Sequence, residues 1–207
     1  MAHLQFSQDS TIPEFLAALA SPTDPHGTLA AAAVAGAMGA SVLQMVAAVP
    51  AGDADQVALV NTGTALAHIQ QDLLDSVETE TAVKLFAACR LPHTIKSERL
   101  ERDKAIQVAL RASTEVPLEV MRLCVRALQH AETVAGHSRR TASPDVLLAV
   151  ALCEAAFNAA RSTLEAKLPI LTDASHAASL AEQVAILSQD AAAAVSASRS
   201  FVTIPPT

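Results

Sequence analysis

The sequence predicts an all-α protein, a single-domain bundle of about seven helices built round a long apolar second helix. Three observations carry that prediction. Helix start and stop signals recur along the whole chain, no stretch alternates apolar and polar residues with period two, and Leu29 to Val49 runs 21 residues without a charge. The 207 residues, 51% of them apolar, suffice for one core over 1–207; no linker or solenoid repeat divides them.

Each element has a local cause. Thr11-Ile-Pro-Glu14 is a capping box, with Pro tolerated in the first turn, and starts a helix that runs to about Ala20. Pro22, Asp24, Pro25 and Gly27 cannot continue it and place a turn before the apolar helix. That second helix is Ala-rich, carries Gly36, Gly39, Ser41 and Gln44, and lacks flanking cations or aromatic anchors, so it reads as a core helix and not a membrane span. Pro50-Ala-Gly52 ends it. Asp53 caps a third helix whose Val57, Val60, Leu66, Ile69, Leu73 and Val77 keep helical spacing and carry it toward Cys89.

After Leu91-Pro92, residues 97–112 form a charge-rich helix with Glu98 and Arg102 as an i,i+4 pair. A separate helix spans Val116 to Val134 with Pro117 in its first turn, and Gly136 stops it. Ser143-Pro144-Asp145 starts the next, with Ser143 as cap, and Pro169 ends it near Leu168; a last helix covers Asp173 to Arg199.

Composition narrows function. With 2% aromatic residues and a net charge of −7, the chain lacks both stacking rings and the basic field that nucleic acid requires. No Lys or Arg precedes Lys84, whereas nine carboxylates do, so the N-terminal part is wholly anionic. Met1 to Ser21 has no basic n-region for export, and Cys89, Cys124 and Cys153 are unspaced for zinc or redox work; they read as reduced, buried, cytoplasmic thiols. The seven histidines show no metal-ligand spacing, so no metal is expected, and no dinucleotide or phosphate-loop fingerprint calls for a nucleotide cofactor.

Three blocks, TIPEFLAALASPT, AVAGAMGASVLQMV and RLPHTIKSERLERDKAIQVALRASTEVPLEVMRLC, share order and spacing with a known family. Over about residues 11–180 the chain resembles the cyclodeaminase/cyclohydrolase folate enzymes. The resemblance implies an all-helical cytoplasmic homodimer holding a tetrahydrofolate derivative beside the start of the apolar helix. The family's Pro-Gly-Gly-Gly-Ser turn is represented here by Gly27, followed by Thr28 and Leu29; Gly27 and Thr28 are therefore the implied ligand contacts. The family's cationic stretch after that helix falls on Pro50 to Gln56, which holds Asp53 and Asp55 instead.

Its carboxylate pair corresponds to Glu78 and Glu80, which a helix would point about 200° apart, leaving Glu78 as the implied catalytic residue. The Ser-Asp-Ala-Gly turn becomes Ser143-Pro144-Asp145-Val146, which keeps Ser143 as a ligand contact, and an Asn-x-Arg-x-Asn run becomes Asn158-Ala-Ala-Arg161-Ser162. His26 and His93 lie in the presumed cleft loops. The activity implied is hydrolysis of 5,10-methenyltetrahydrofolate to the 10-formyl form, or the related ammonia elimination. The second reading, drawn from the altered glycine, cationic and Ser-Asp motifs, is a catalytically inactive paralogue serving as partner subunit or binder of another small molecule. Neither nucleic acid nor membrane is an expected partner.

Overall fold

The computed structural model describes residues 11–21, 27–49, 56–76 and 87–202. Six helices of eight residues or more lie among them: α1 (Ile12–Leu19), α2 (Gly27–Ala47), α3 (Gln56–Asp75), α4 (Lys96–His137), α5 (Ser143–Glu165) and α6 (Ala174–Val202), with a further helical turn at 87–89. The all-α class stands. Thr11 closes α1 as the sequence predicts: the Glu14 carboxylate accepts from the Thr11 backbone N–H at 2.8 Å, and the Thr11 hydroxyl accepts from the Glu14 N–H.

Helix α2 is the axis of the bundle, packed most extensively against α5 and α3. Ten of its 21 residues are buried, mostly Ala and Gly, so neighbouring backbones approach closely enough to form a dense core. By length and composition α2 and Ser143–Ile170 could each cross a membrane; in α2 that apolar length is used for the bundle interior. Gly39 is required there, and Gly36 sits in a tight contact. A Cβ on Gly39 would stand 2.5 Å from the Cys153 sulfur and 2.9 Å from the Ala149 carbonyl oxygen, and one on Gly36 would stand 3.2 Å from the Cys124 sulfur.

The contacts fix the directions of the helices. Gln44 at the end of α2 donates to the Gly63 carbonyl near the start of α3, and Gly36 meets Leu73 near its end, so α2 and α3 are antiparallel. Gly36 also meets Cys124 of α4 and Ala156 of α5, while Gly39 meets Ala149 and Cys153, which sets α5 antiparallel to α2. Helix α6 runs parallel to α4. Arg111 pairs with Asp173 at 3.0 Å, Arg122 bonds Gln183 at 2.7 Å and the Phe201 ring lies against Gly136.

Four sequence expectations are corrected. The two helices expected over 97–112 and 116–134 are one 42-residue helix, α4, with Pro117 inside it. Proline has no N–H to give the carbonyl four residues back, and that carbonyl, Ser113 O, instead accepts from the Lys167 ammonium at 2.6 Å. An outside donor supplies the bond that an interior proline removes, and the helix continues. The Ser113 and Thr114 hydroxyls bond back to Leu110 O and Arg111 O in the same turn.

Ser143 is the first residue of α5, not its cap: a 3₁₀ turn over Arg140–Ala142 precedes it, and Ala142 holds the cap position without a side-chain bond. Glu98 and Arg102 take separate partners. Glu98 accepts from the Thr94 and Ile95 N–H groups at 2.9 and 3.2 Å, capping α4, while Arg102 donates to Cys89 O. Cys89 is exposed, because it lies at the edge of the bundle before α4, and only Cys124 and Cys153 are buried. At the other junction Asp173, just before α6, accepts from His176 N at 3.0 Å and starts that helix as expected.

Candidate functional site

Gly27 and Thr28 open α2, where the first four N–H groups of a helix have no carbonyl within the helix to bond and the helix dipole is positive. Thr28 is exposed, and Leu29 turns partly inward onto the core. Leu19 of α1 borders Gly27 at ordinary contact distance, 3.8 Å from where a Cβ would lie.

Ser143 lies elsewhere. Gly39 faces Ala149 and Cys153, and the two helices run in opposite directions. From that crossing α2 runs about 18 Å to Gly27 while α5 runs about 12 Å the other way to Ser143, at 1.5 Å per residue. The two implied ligand contacts are thus roughly 25–30 Å apart within one chain. The structure does not bring them together. Glu78, Glu80, His26, Asp53 and Asp55 lie outside the described residues; His93 is exposed in the loop before α4, and Asn158 is exposed on α5.

A groove of about 420 Å³ opens at the Ser143 end of α2, between the last turns of that helix and the first of α3. Gln44, Val60, Thr64 and His68 line it, with Ala47 and Ala48 as its floor. Sequence reasoning missed this groove, although Val60, Thr64 and His68 recur at i,i+4 spacing on the side of α3 away from Leu66, Ile69 and Leu73. Arg161 on α5 and Lys167 just past its end lie toward the Gly27 end of the bundle, because α5 runs antiparallel to α2.

Arg161 makes no hydrogen bond through its buried Nε and sits 3.9 Å from the Glu165 carboxylate. Burial pulls the Lys167 ammonium below its ordinary pKa. At the centre of the bundle, burial pushes the Cys153 thiol up to about 12 and raises Cys124 well above its usual range, so both stay protonated and inert. Among the described residues no three His, Cys, Asp or Glu side chains converge as a metal site.

A charge-free α2 packed against antiparallel α3 and α5, with a groove at its C-terminal end, defines an all-helical bundle protein. The chain belongs to the formiminotransferase-cyclodeaminase family, whose model matches residues 11–186. It is 33% identical over 150 residues to a methenyltetrahydrofolate cyclohydrolase of Methylorubrum extorquens, covering 69% of this chain and 71% of that one. Its fold matches the crystal structure of a formiminotetrahydrofolate cyclodeaminase of Thermotoga maritima with a TM-score of 0.83 at 19% identity, over 94% of this chain and 96% of that one.

Proposed function

We propose that this protein is a cytoplasmic enzyme of folate one-carbon metabolism that hydrolyses 5,10-methenyltetrahydrofolate to 10-formyltetrahydrofolate. The observation that carries the proposal is the 33% identity to a cyclohydrolase over about two thirds of both chains. The electrophile suits a modest site. The methenyl carbon is shared by two nitrogens and already carries positive charge, so water adds to it directly. That water then loses a proton, and the bond to N5 breaks, leaving the formyl group on N10 and a hydrogen on N5.

Glu78 is assigned the removal of the water proton, which calls for a carboxylate in its ionised form. Gly27, Thr28 and the following N–H groups at the start of α2 donate to carbonyl oxygens of the ligand. Ser143 contributes from the opposite end of the bundle, which requires a second copy of the chain, and the working unit is a homodimer. Elimination of ammonia from a formimino group is the sister reaction, and no residue is assigned as the acid for its leaving amine. The inactive-paralogue reading is set aside because no observation in the described residues favours it over the cyclohydrolase.

The test is the loss of the methenyl chromophore with time, at a pH where spontaneous hydrolysis is slow, for the wild type and for Glu78→Gln. A saturable, protein-dependent loss that falls by about 10²-fold or more in Glu78→Gln is expected for a residue acting as general base. A wild-type trace identical to buffer at high protein concentration overturns the activity; unchanged turnover in the variant removes Glu78 from the mechanism.

A further inference from the structure

Helix α4 has two unlike parts. None of residues 96–108 is buried, and the 15 buried residues of α4 all lie from Ala109 onward. The place of the exposed arm follows from contacts already described. Cys124 and Ala156 both meet Gly36, and Lys167, past the end of α5 that lies beside Gly27, bonds Ser113, so α4 runs parallel to α2. At 1.5 Å per residue Gly27 lies about 14 Å from Gly36, and Ser113 lies about 17 Å from Cys124 on the same side. Ser113 is therefore level with the start of α2, and residues 96–112 extend about 25 Å past it.

The join between arm and body is weak in the helix and clasped from outside. Pro117 offers no N–H to Ser113 O, which interrupts the bonding of α4 just after the arm. The linker between α5 and α6 closes over the same place. Lys167 donates to Ser113 O at 2.6 Å, and Arg111 pairs with Asp173 at 3.0 Å. Gln107 donates to Ile170 O at 3.0 Å and accepts from the Thr172 N–H and hydroxyl at 3.0 and 3.1 Å. Each of these bonds uses a side chain, so the clasp opens without breaking the helix ladder.

The arm also carries the loop before it. Arg99 donates to His93 O and Thr94 O, and Arg102 donates twice to Cys89 O. Residues 89–112 are thus one piece, with six Lys and Arg against three Asp and Glu, in a chain that has no cation before Lys84. A bend at the break moves that net positive piece relative to the start of α2.

We infer that residues 89–112 are a lid for the Gly27 end of the bundle, hinged where Pro117 interrupts α4 and held by the linker through Lys167, Gln107 and Asp173. The hinge and its clasp stand on these contacts alone; that the lid closes on a ligand rests on the proposed folate activity. The two are tested separately.

For the hinge, nitroxide labels are placed on Cys89, which is exposed, and on Gln189→Cys, at an exposed position of α6, and their separation is read by pulsed electron resonance. Cys89 is held at the level of Arg102, about 20 Å from the break, so a kink of about 20° moves it about 7 Å. The wild type is expected to give one distance, and Lys167→Met/Gln107→Ala a second population displaced by several ångströms. Adding Pro117→Ala, which returns an N–H to Ser113 O, is expected to restore the single distance. An unchanged distance in the double variant overturns the clasp, and a displacement that survives Pro117→Ala overturns the hinge. Where the double variant does not fold, Gln107→Ala alone replaces it, with the same population expected at lower occupancy and the same result overturning the clasp.

For the lid, the methenyl assay on these variants is expected to show a KM raised several-fold that returns toward the wild-type value with Pro117→Ala. Unaltered kinetics beside a moving arm overturn the lid and leave the hinge. A wild type with no turnover removes the activity and the lid's ligand with it, while the distance measurement still decides the hinge.

Discussion

Replacing glycine by alanine at two positions of this bundle should move stability in opposite directions, and the structure says why. A methyl group at Gly39 would lie 2.5 Å from the Cys153 sulfur, 2.9 Å from the Ala149 carbonyl oxygen and 3.3 Å from the Cys153 nitrogen. Carbon atoms in good contact sit about 3.5–4.0 Å apart. The sulfur can turn away about one bond, but the Ala149 oxygen belongs to a helix that buries eight residues, so α5 itself must move. Overpacking that forces a backbone shift costs about 1–3 kcal/mol, and this contact belongs at the upper end. Against it stands the gain of about 0.5–1 kcal/mol from replacing a helix-interior glycine.

The net expectation for Gly39→Ala is a loss of about 2 kcal/mol, or roughly 4–8 °C in Tm for a chain of this size. At Gly63 the new methyl would meet, among the described residues, only Ala47 Cβ at 3.9 Å. Gly63→Ala therefore keeps the propensity gain and is expected to raise Tm by about 1–4 °C. Thermal unfolding followed by circular dichroism measures both, and Gly39→Ala/Cys153→Ala, which removes the sulfur but leaves the Ala149 oxygen, is expected to recover part of the loss. If Gly39→Ala proves as stable as Gly63→Ala, the close approach of α2 and α5 is wrong.

Lys167→Met leaves the Ser113 carbonyl without its donor and is expected to cost about 1–3 kcal/mol in denaturant unfolding. The loss should shrink in a Pro117→Ala background, where residue 117 regains an N–H for that carbonyl; equal losses in both backgrounds would refute the linkage. In acid, Asp173 and Glu14 set a direction. The His176 N–H holds Asp173 below its ordinary 3.8, and the Thr11 hydroxyl and N–H hold Glu14 below 4.5. The unfolded chain therefore binds protons more readily, so this stabilisation is complete above the ordinary values and is lost as pH falls through the lowered ones. Tm is expected to fall in that window, and less steeply in Asp173→Asn; parallel curves would count against the cap. Finally, iodoacetamide at mildly alkaline pH should label exposed Cys89 alone in the folded protein, with Cys124 and Cys153 reacting only after unfolding; rapid double or triple labelling by mass spectrometry would contradict their burial.

Local chemistry was legible in the sequence. The Thr11–Glu14 box, the charge-free run that became α2 and the Asp173 start of α6 each depend on residues within a few positions of one another, so reading the chain in order sufficed. The family was legible for the same reason, since its blocks are contiguous and their order survives. What failed was any statement that needed a distant partner. Pro117 reads as a helix start until Lys167, fifty residues on, supplies the missing bond. Ser143 and Gly27 read as one site until the antiparallel packing of α2 and α5 sends them to opposite ends. Sequence alone determined that the fold is all-α and where α1 and α6 begin, because those caps and the periodicity are short-range; only the tertiary structure decided that α4 runs through Pro117 and which helix ends meet, because that depends on the Lys167 donor and on where Gly36 and Gly39 let two backbones touch.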